Sequence, residues 1–508
     1  MDTEGNGVGK RCYYLGLDQG TTGTTALLLD ESWHQVARGH VEIHQHYPQN
    51  GWVEHDPIEI YDSLLKAAVQ ALHSAGVNAR EIRCIGLDNQ GETIVVWDKR
   101  SGEPVYPAIV WQDRRTASEV ERINRQYGPV FQKSTGLTLD SYFGATKIRW
   151  VLQNVPRARE LLAQHRLAAG TTDSWMIWKL TNGKAFVTDC VTASRTCLMN
   201  LERREWDEQL LSILEIPREI LPEIRENVCF FGKASPETFL DAEIPITASI
   251  ADQQAALLGQ ACCTPGSVKT TYGTGCFMLM NTGSRPVPVQ NGLLSTLAWV
   301  ERGRADYALD GGIYIAGAAV QWLRDGLGII QSAAQADAMA LSVPDNGGVS
   351  FVPAFSGLAA PYWDSYARGT ITGITAGVKA EHLARATLEA EAYQVRDILK
   401  LLEQSSGMQI SSMRVDGGGT ASRFLMQFQA DLLGIPVEIP AIRETTALGS
   451  AYLAALGLGE LSRIEDTVDL WRCQKRYEPA MSEDHRAALM DQWHRAVERS
   501  RGWIMPNA

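Results

Sequence analysis

No stretch of this chain concentrates Lys and Arg into a basic run longer than two residues, and its formal net charge is -12 over 508 residues. A nucleic-acid surface needs such a stretch, so no nucleic-acid partner is expected, and the negative charge serves solubility. No segment is apolar for long enough to cross a bilayer, and the polar, Gly-rich Met1 to Lys10 lacks the apolar centre of a signal peptide. No membrane insertion is expected, and the cytoplasm is the expected compartment. The nine cysteines, Cys12, Cys84, Cys190, Cys197, Cys229, Cys262, Cys263, Cys276 and Cys473, form no C-x-x-C pair and no regular framework. They are read as reduced, mostly buried thiols. His40, His44, His46 and His55 lie near one another, but neither H-E-x-x-H nor a Cys/His spacing accompanies them, so they are read as surface or packing residues. Gly5-Asn6-Gly7-Val8-Gly9-Lys10 follows no strand and is succeeded by Arg11 where a Walker A loop needs Ser or Thr.

What is present is ordinary globular composition, 45% hydrophobic and 21% charged, in a chain too long for one core. Two large domains are therefore expected. An apolar run from Tyr13 to Leu17 turns through Asp18-Gln19-Gly20-Thr21-Thr22-Gly23 and resumes at Ala26 to Leu29, the pattern of a β-hairpin with a Gly/Thr tip. The pattern restarts where Val268 to Tyr272 enters Gly273-Thr274-Gly275 and leaves as Cys276 to Met280. Between them, Ile82 to Leu87 and Val95 to Trp97 read as strands around the polar turn Asn89-Gln90-Gly91. Asp56-Pro57-Ile58-Glu59 reads as a helix start with an Asp cap, Pro at the first position and Glu completing a capping box. Met413 to Val415, Asp416-Gly417-Gly418-Gly419-Thr420 and the amphipathic Phe424 to Leu433 form a strand–turn–helix unit. A mixed α/β architecture follows, with a leader over 1–12 and domains over 13–256 and 257–508.

A Gly/Thr hairpin tip lets backbone N–H groups approach a phosphate, because glycine removes side-chain bulk and threonine adds hydroxyl donors. The same tip also serves as a plain turn. Asp18 beside the first tip could hold Mg²⁺, usually through water. Asp252 opens the Ala-rich stretch Asp252 to Leu258. It can cap that helix, or accept a proton from a substrate hydroxyl with Gln253 orienting the substrate, and the two roles are compatible. The run Gly417-Gly418-Gly419 permits close approach to a flat ligand or a phosphate but lacks G-x-G-x-x-G spacing.

With these segments assembled, the chain resembles the FGGY carbohydrate kinases, most closely the members that act on glycerol. The resemblance rests on Leu17-Asp18-Gln19-Gly20-Thr21-Thr22, Gly51-Trp52-Val53-Glu54-His55-Asp56-Pro57, Trp111-Gln112-Asp113-Arg114-Arg115-Thr116, Ala251-Asp252-Gln253-Gln254-Ala255-Ala256, Thr271 to Phe277, Pro361-Tyr362-Trp363-Asp364 and Val415-Asp416-Gly417-Gly418. These blocks run in the family's order from about Tyr14 to about Tyr452. The resemblance implies two actin-like, RNase H-related ATPase domains with an interdomain active-site cleft, binding ATP and Mg²⁺. It implies Asp252 as general base, Asp18 as support for Mg²⁺, and Thr21, Thr22 and Gly23 at the phosphates. Thr274, Gly317, Gln321, Gly418 and Ser422 would lie along ATP, and Glu92, Trp111, Tyr142, Asp252, Gln253 and Phe277 would form the polyol pocket. The implied reaction is transfer of the γ-phosphoryl group to a primary hydroxyl of glycerol, and relatives suggest a homodimer or homotetramer.

Departures from the family pattern bear on substrate more than on reaction. Gly91 stands where glycerol-specific relatives place an arginine, and glycine brings no side-chain donor. Losing such donors to a hydroxyl would cost roughly 1.5–3 kcal/mol if nothing replaces them. A roomier pocket is expected there, suited to erythritol, threitol, xylitol or xylulose as the alternative acceptor. Thr25 replaces an arginine near the phosphates, Gly144 a small hydroxyl residue and Ser422 an asparagine beside adenine. Gly232-Lys233-Ala234-Ser235-Pro236 lacks the pattern some relatives use for sugar-bisphosphate inhibition. A third reading, from another class, is a non-catalytic actin-like ATP-binding module. A sugar-sensing regulator would bind without turnover, and no sequence feature favours it.

Overall fold

The computed structural model describes residues 12–288 and 292–504, so all of the expected leader except Cys12 lies outside the described residues. Two compact units emerge. The first takes the residues up to Gly259 together with Thr296–Asp306 and Glu444–Leu470; the second takes Gln260–Ser295, Tyr307–Arg443 and the residues from Trp471 onward. A single division at 256/257 does not include the two returns of the chain to the first unit, which no composition shift marks.

In the first unit six strands lie in the order Val228–Ala234, Ile244–Ala251, Ile82–Asn89, Tyr13–Gln19, Gly23–Leu29 and Gln35–Glu42. Ile244–Ala251, Ile82–Asn89 and Tyr13–Gln19 run parallel, and the remaining pairings are antiparallel. Leu15 and Leu17 pack with Tyr61, Leu64 and Ala67 of the helix Pro57–Ala75. Gly16 points the other way, because side chains alternate along a strand, and there the helix Thr445–Leu458 covers the sheet. That helix is buried on nearly every side, as its Ala/Leu/Gly composition demands. It lies so close that a Cβ on Gly86 would stand 1.9 Å from the Ser450 carbonyl oxygen, and one on Gly449 would stand 1.9 Å from that of Ala255. Glycine at both positions allows the helix to reach the sheet and the helix Asp252–Gly259.

Asp56 caps Pro57–Ala75 as expected, accepting from the Ile58 N–H at 2.8 Å. Glu59 does not close a capping box. Its carboxylate turns instead to His44, accepting from the backbone N–H at 3.3 Å and lying 2.5 Å from Nδ1. The motifs around Trp52 and Trp111 meet at Arg115, whose buried guanidinium pairs with Glu54 at 2.7 Å and Asp113 at 2.8 Å and stacks on Trp52 at 3.8 Å. Removing Arg115 would leave both buried carboxylates without their common partner, at about 3–5 kcal/mol.

The second unit contains the sheet portion 307–313, Cys276–Gly283, Val268–Tyr272, Met413–Asp416, Val437–Pro440 and Cys473–Tyr477, in that spatial order. Val268–Tyr272, Met413–Asp416 and Val437–Pro440 are parallel. The expected strand–turn–helix unit is present: Met413–Asp416 leads through Gly418–Ala421 to the helix Arg423–Leu433, capped by Ser422 Oγ accepting from the Leu425 N–H at 3.0 Å. The long helix Ala380–Ser406 packs against it and against Ala333–Leu341. No helix among the described residues is long and apolar enough to cross a membrane.

Candidate active site

Parallel register decides the acidic centre of the first unit. Asp18 lies opposite Asp88 on one side, and Ile250 lies opposite Asp88 on the other. Asp252 follows Ala251 at the end of that third strand, so Asp18, Asp88 and Asp252 emerge at the same end of one sheet. Ligands in open α/β sheets collect beyond the carboxyl ends of parallel strands. Asp252 Oδ1 accepts from the Gln253 N–H at 2.6 Å, so the side chain is held at the mouth of its helix.

Asp88 is wholly buried, with Asp18 and Ser450 beside its carboxyl. Burial and the adjacent Asp18 push its pKa well above the usual carboxylate range. Burial also raises Asp18, though hydrogen bonding with Asp88 works against that rise. Asp18 reaches solvent and Asp88 does not, so burial bears more heavily on Asp88.

The hairpin tip beside Asp18 closes with the Gly20 N–H donating to the Gly23 carbonyl at 3.0 Å. Thr22 is exposed, whereas Thr21 Oγ1 accepts from Trp111 Nε1–H at 2.8 Å and ties the tip to the expected polyol wall. Trp111 meets Tyr142 edge-on, with ring centroids 5.5 Å apart. Glu92 is buried and accepts from Arg195 Nε–H at 2.6 Å, and the same guanidinium lies 5.9 Å from the Tyr142 ring. The space beside Gly91 is not open. A Cβ there would stand 3.1 Å from the Ala251 Cβ and 3.5 Å from the Arg195 Cγ, so Ala251 crowds the position and the arginine stem adjoins it.

The second unit carries a cavity of about 440 Å³ lined by Thr274, Gly317, Gln321, Gly418, Ser422 and Glu391, among others. Its hairpin tip resembles the first, with the Gly273 N–H donating to Gly275 at 2.9 Å. Gly317 opens the helix Gly317–Asp325 against that tip, its N–H 3.1 Å from the Gly273 carbonyl oxygen, and Gln321 lies one turn later on the same face. Asp337 accepts from Ser422 Oγ–H at 2.5 Å and from the Phe424 N–H at 2.9 Å, anchoring the helix start at the cavity edge. Glu391 is 2% exposed, and burial raises its pKa to about 8.

The structure thus gathers Asp18, Thr21, Glu92, Trp111, Tyr142, Asp252 and Gln253 in the first unit, and five expected nucleotide residues around one cavity of the second. Phe277 stands on the strand Cys276–Gly283 of the second unit. Sequence reasoning passed over Asp88, Arg195 and Glu391. No spacing announces them, since each gains its place from strand register or helix packing. The clustered histidines lie mostly at the surface: His40, His44 and His46 are exposed, with His40 Nδ1 3.0 Å from Thr25 Oγ1, and His55 is buried beside Gln90.

Residues 13–259 match the N-terminal domain of the FGGY family of carbohydrate kinases, and residues 268–458 match its C-terminal domain. The chain belongs to that family. It is 50% identical to glycerol kinase 2 of Thermotoga maritima over 492 residues, covering 97% of this chain and 99% of that protein. It is 49% identical to the glycerol kinase of Deinococcus radiodurans, covering 97% and 98% respectively. Among solved structures, Plasmodium falciparum glycerol kinase with ADP superposes with a TM-score of 0.89 at 35% identity, covering 96% of this chain and 98% of that one.

Proposed function

We propose that this enzyme transfers the γ-phosphoryl group of ATP to a primary hydroxyl of glycerol, giving glycerol 3-phosphate. The observation that carries the reading is the emergence of Asp252 beside Asp18 at one end of the first unit's sheet, next to Glu92 and the Trp111–Tyr142 wall. In this reading Asp252 accepts the hydroxyl proton as the oxygen–phosphorus bond forms and the bond to the β-phosphate oxygen of departing ADP breaks. Glu92 accepts hydrogen bonds from the other hydroxyls, and Gln253 orients the chain of the polyol. Thr274, Gly317, Gln321, Gly418 and Ser422 hold the nucleotide, and Thr21, Thr22 and Gly23 meet its phosphates. The oxygen-only character of Asp18, partly exposed beside the buried Asp88, fits a hard cation such as Mg²⁺. When bound, that cation would offset phosphate charge.

The likeness to glycerol kinases over nearly the whole chain supports glycerol as acceptor, and the cytoplasm and a homodimer or homotetramer are proposed by analogy with those relatives. A second reading, a longer polyol or a ketose as acceptor, draws on Gly91, but the Arg195 stem leaves it less room. Coupled measurement of ATP consumption with glycerol, erythritol, threitol, xylitol and xylulose separates the two. Glycerol should give the highest kcat/KM; a longer acceptor consumed readily while glycerol is nearly inert would overturn the assignment. Binding of ATP and polyol without turnover in the wild type would instead identify a non-catalytic module.

A further inference from the structure

Lys147 is wholly buried, and its ammonium donates to three carbonyl oxygens: Glu92 at 3.2 Å, Tyr142 at 2.5 Å and Phe143 at 3.3 Å. An ammonium has three N–H donors, so the set is complete. Two of these carbonyls stand at the start of the helix Gly144–Asn154, and the third lies in the turn after Ile82–Asn89. These bonds do not cap the helix, because the groups left over at a helix N-terminus are N–H donors and not carbonyls. The ammonium instead joins two segments far apart in sequence, one carrying Glu92 and the other Tyr142. Close approach of the segments is helped by Gly144, where a Cβ would stand 2.6 Å from Ile94 Cδ1.

We propose that Lys147 is a positioning residue of the acceptor pocket: it binds the backbone of both segments at once and so sets the spacing of the Glu92 and Tyr142 side chains around a three-carbon polyol. The inference rests on the glycerol reading above. A neutral apolar side chain in the same place would leave three carbonyls to find other donors, and the two segments would be free to shift independently. Burial lowers the lysine pKa to about 7, and Arg114 acts the same way, even though Glu92, Asp113 and Asp140 favour the charged form. A buried amino group needs hydrogen-bond partners, and the three carbonyls supply them.

The test uses the full chain carrying Lys147→Met or Lys147→Gln, with glycerol, 1,2-propanediol (glycerol without one terminal hydroxyl) and ATP as varied substrates and thermal melting alongside. Lys147→Met should raise the glycerol KM about tenfold or more and shrink the preference for glycerol over 1,2-propanediol by a similar factor. The ATP KM should stay within about twofold, and Lys147→Gln, which keeps two donors, should fall between wild type and Lys147→Met. Equal proportional losses for both acceptors, or an ATP KM that rises with the glycerol KM, would overturn the proposal. So would loss of a cooperative melting transition in both variants, since the lysine would then serve the fold and not the pocket. Wild-type enzyme without glycerol turnover sinks the functional reading, and this inference with it, before any variant is made.

Discussion

Asp88 lies directly across a parallel strand pair from Asp18, and burial beside that second carboxyl holds the Asp88 pKa well above the usual carboxylate range. A carboxyl raised in the folded state binds a proton that the unfolded chain has already released, so stability falls as pH rises from the ordinary carboxylate range toward the raised value. Asp88→Asn supplies amide donors to Asp18 at every pH. Thermal melts between pH 5 and pH 8 should therefore show a shallower decline in the variant, with its Tm at pH 8 about 2–4 °C above wild type for each kcal/mol recovered. Parallel pH profiles would refute the raised Asp88 pKa.

Asp252→Asn keeps the side-chain shape and the oxygen that accepts from Gln253 but removes the base. A fall in kcat of about 10²–10⁴ is expected, with little change in the ATP KM. Single-turnover rates would check it, and a variant within a few-fold of wild type would remove Asp252 from the chemistry.

Glu391 is neutral below about pH 8 and ionises above it, in the wall of the second unit's cavity. A new negative charge there repels nucleotide phosphates, so the ATP KM should climb above pH 8 in wild type and stay flat in Glu391→Gln. The acceptor KM serves as the control. Because the folded-state pKa is raised, this group also removes stability as pH increases toward 8, and Glu391→Gln should lessen that loss.

Gly91→Arg tests whether the Arg195 stem and an arginine at 91 compete for one space. Alone, the substitution should crowd Ala251 and Arg195, lower Tm and weaken glycerol binding by about tenfold. Combined with Arg195→Ala it should recover much of both, a coupling that a double-mutant cycle measures directly. Additive losses would mean that the two side chains occupy separate space.

Both Gly/Thr hairpins, the strand–turn–helix unit after Met413 and the Asp56 helix start were legible in the sequence, because each is a local matter of apolar periodicity and turn chemistry. The Asp56 start also marks the limit of local reading. Glu59 sits three residues along with capping-box spacing, yet His44, from a different segment, draws its carboxylate away. The two returns of the chain to the first unit were illegible for a related reason: a buried Ala/Leu helix such as Thr445–Leu458 has the same composition whichever sheet it covers.

Sequence by itself determined the class of chemistry, since the residues at the two hairpin tips and around Asp252 suit phosphoryl transfer wherever the chain carries them. Tertiary structure alone decided which side chains surround the acceptor. Strand register put Asp88 beside Asp18, helix packing brought Arg195 to Glu92 and Gly91, and a buried ammonium joined residues 92 and 142. Those contacts arise between segments that share no periodicity or spacing, so they come into being only when burial forces each polar group to find a partner.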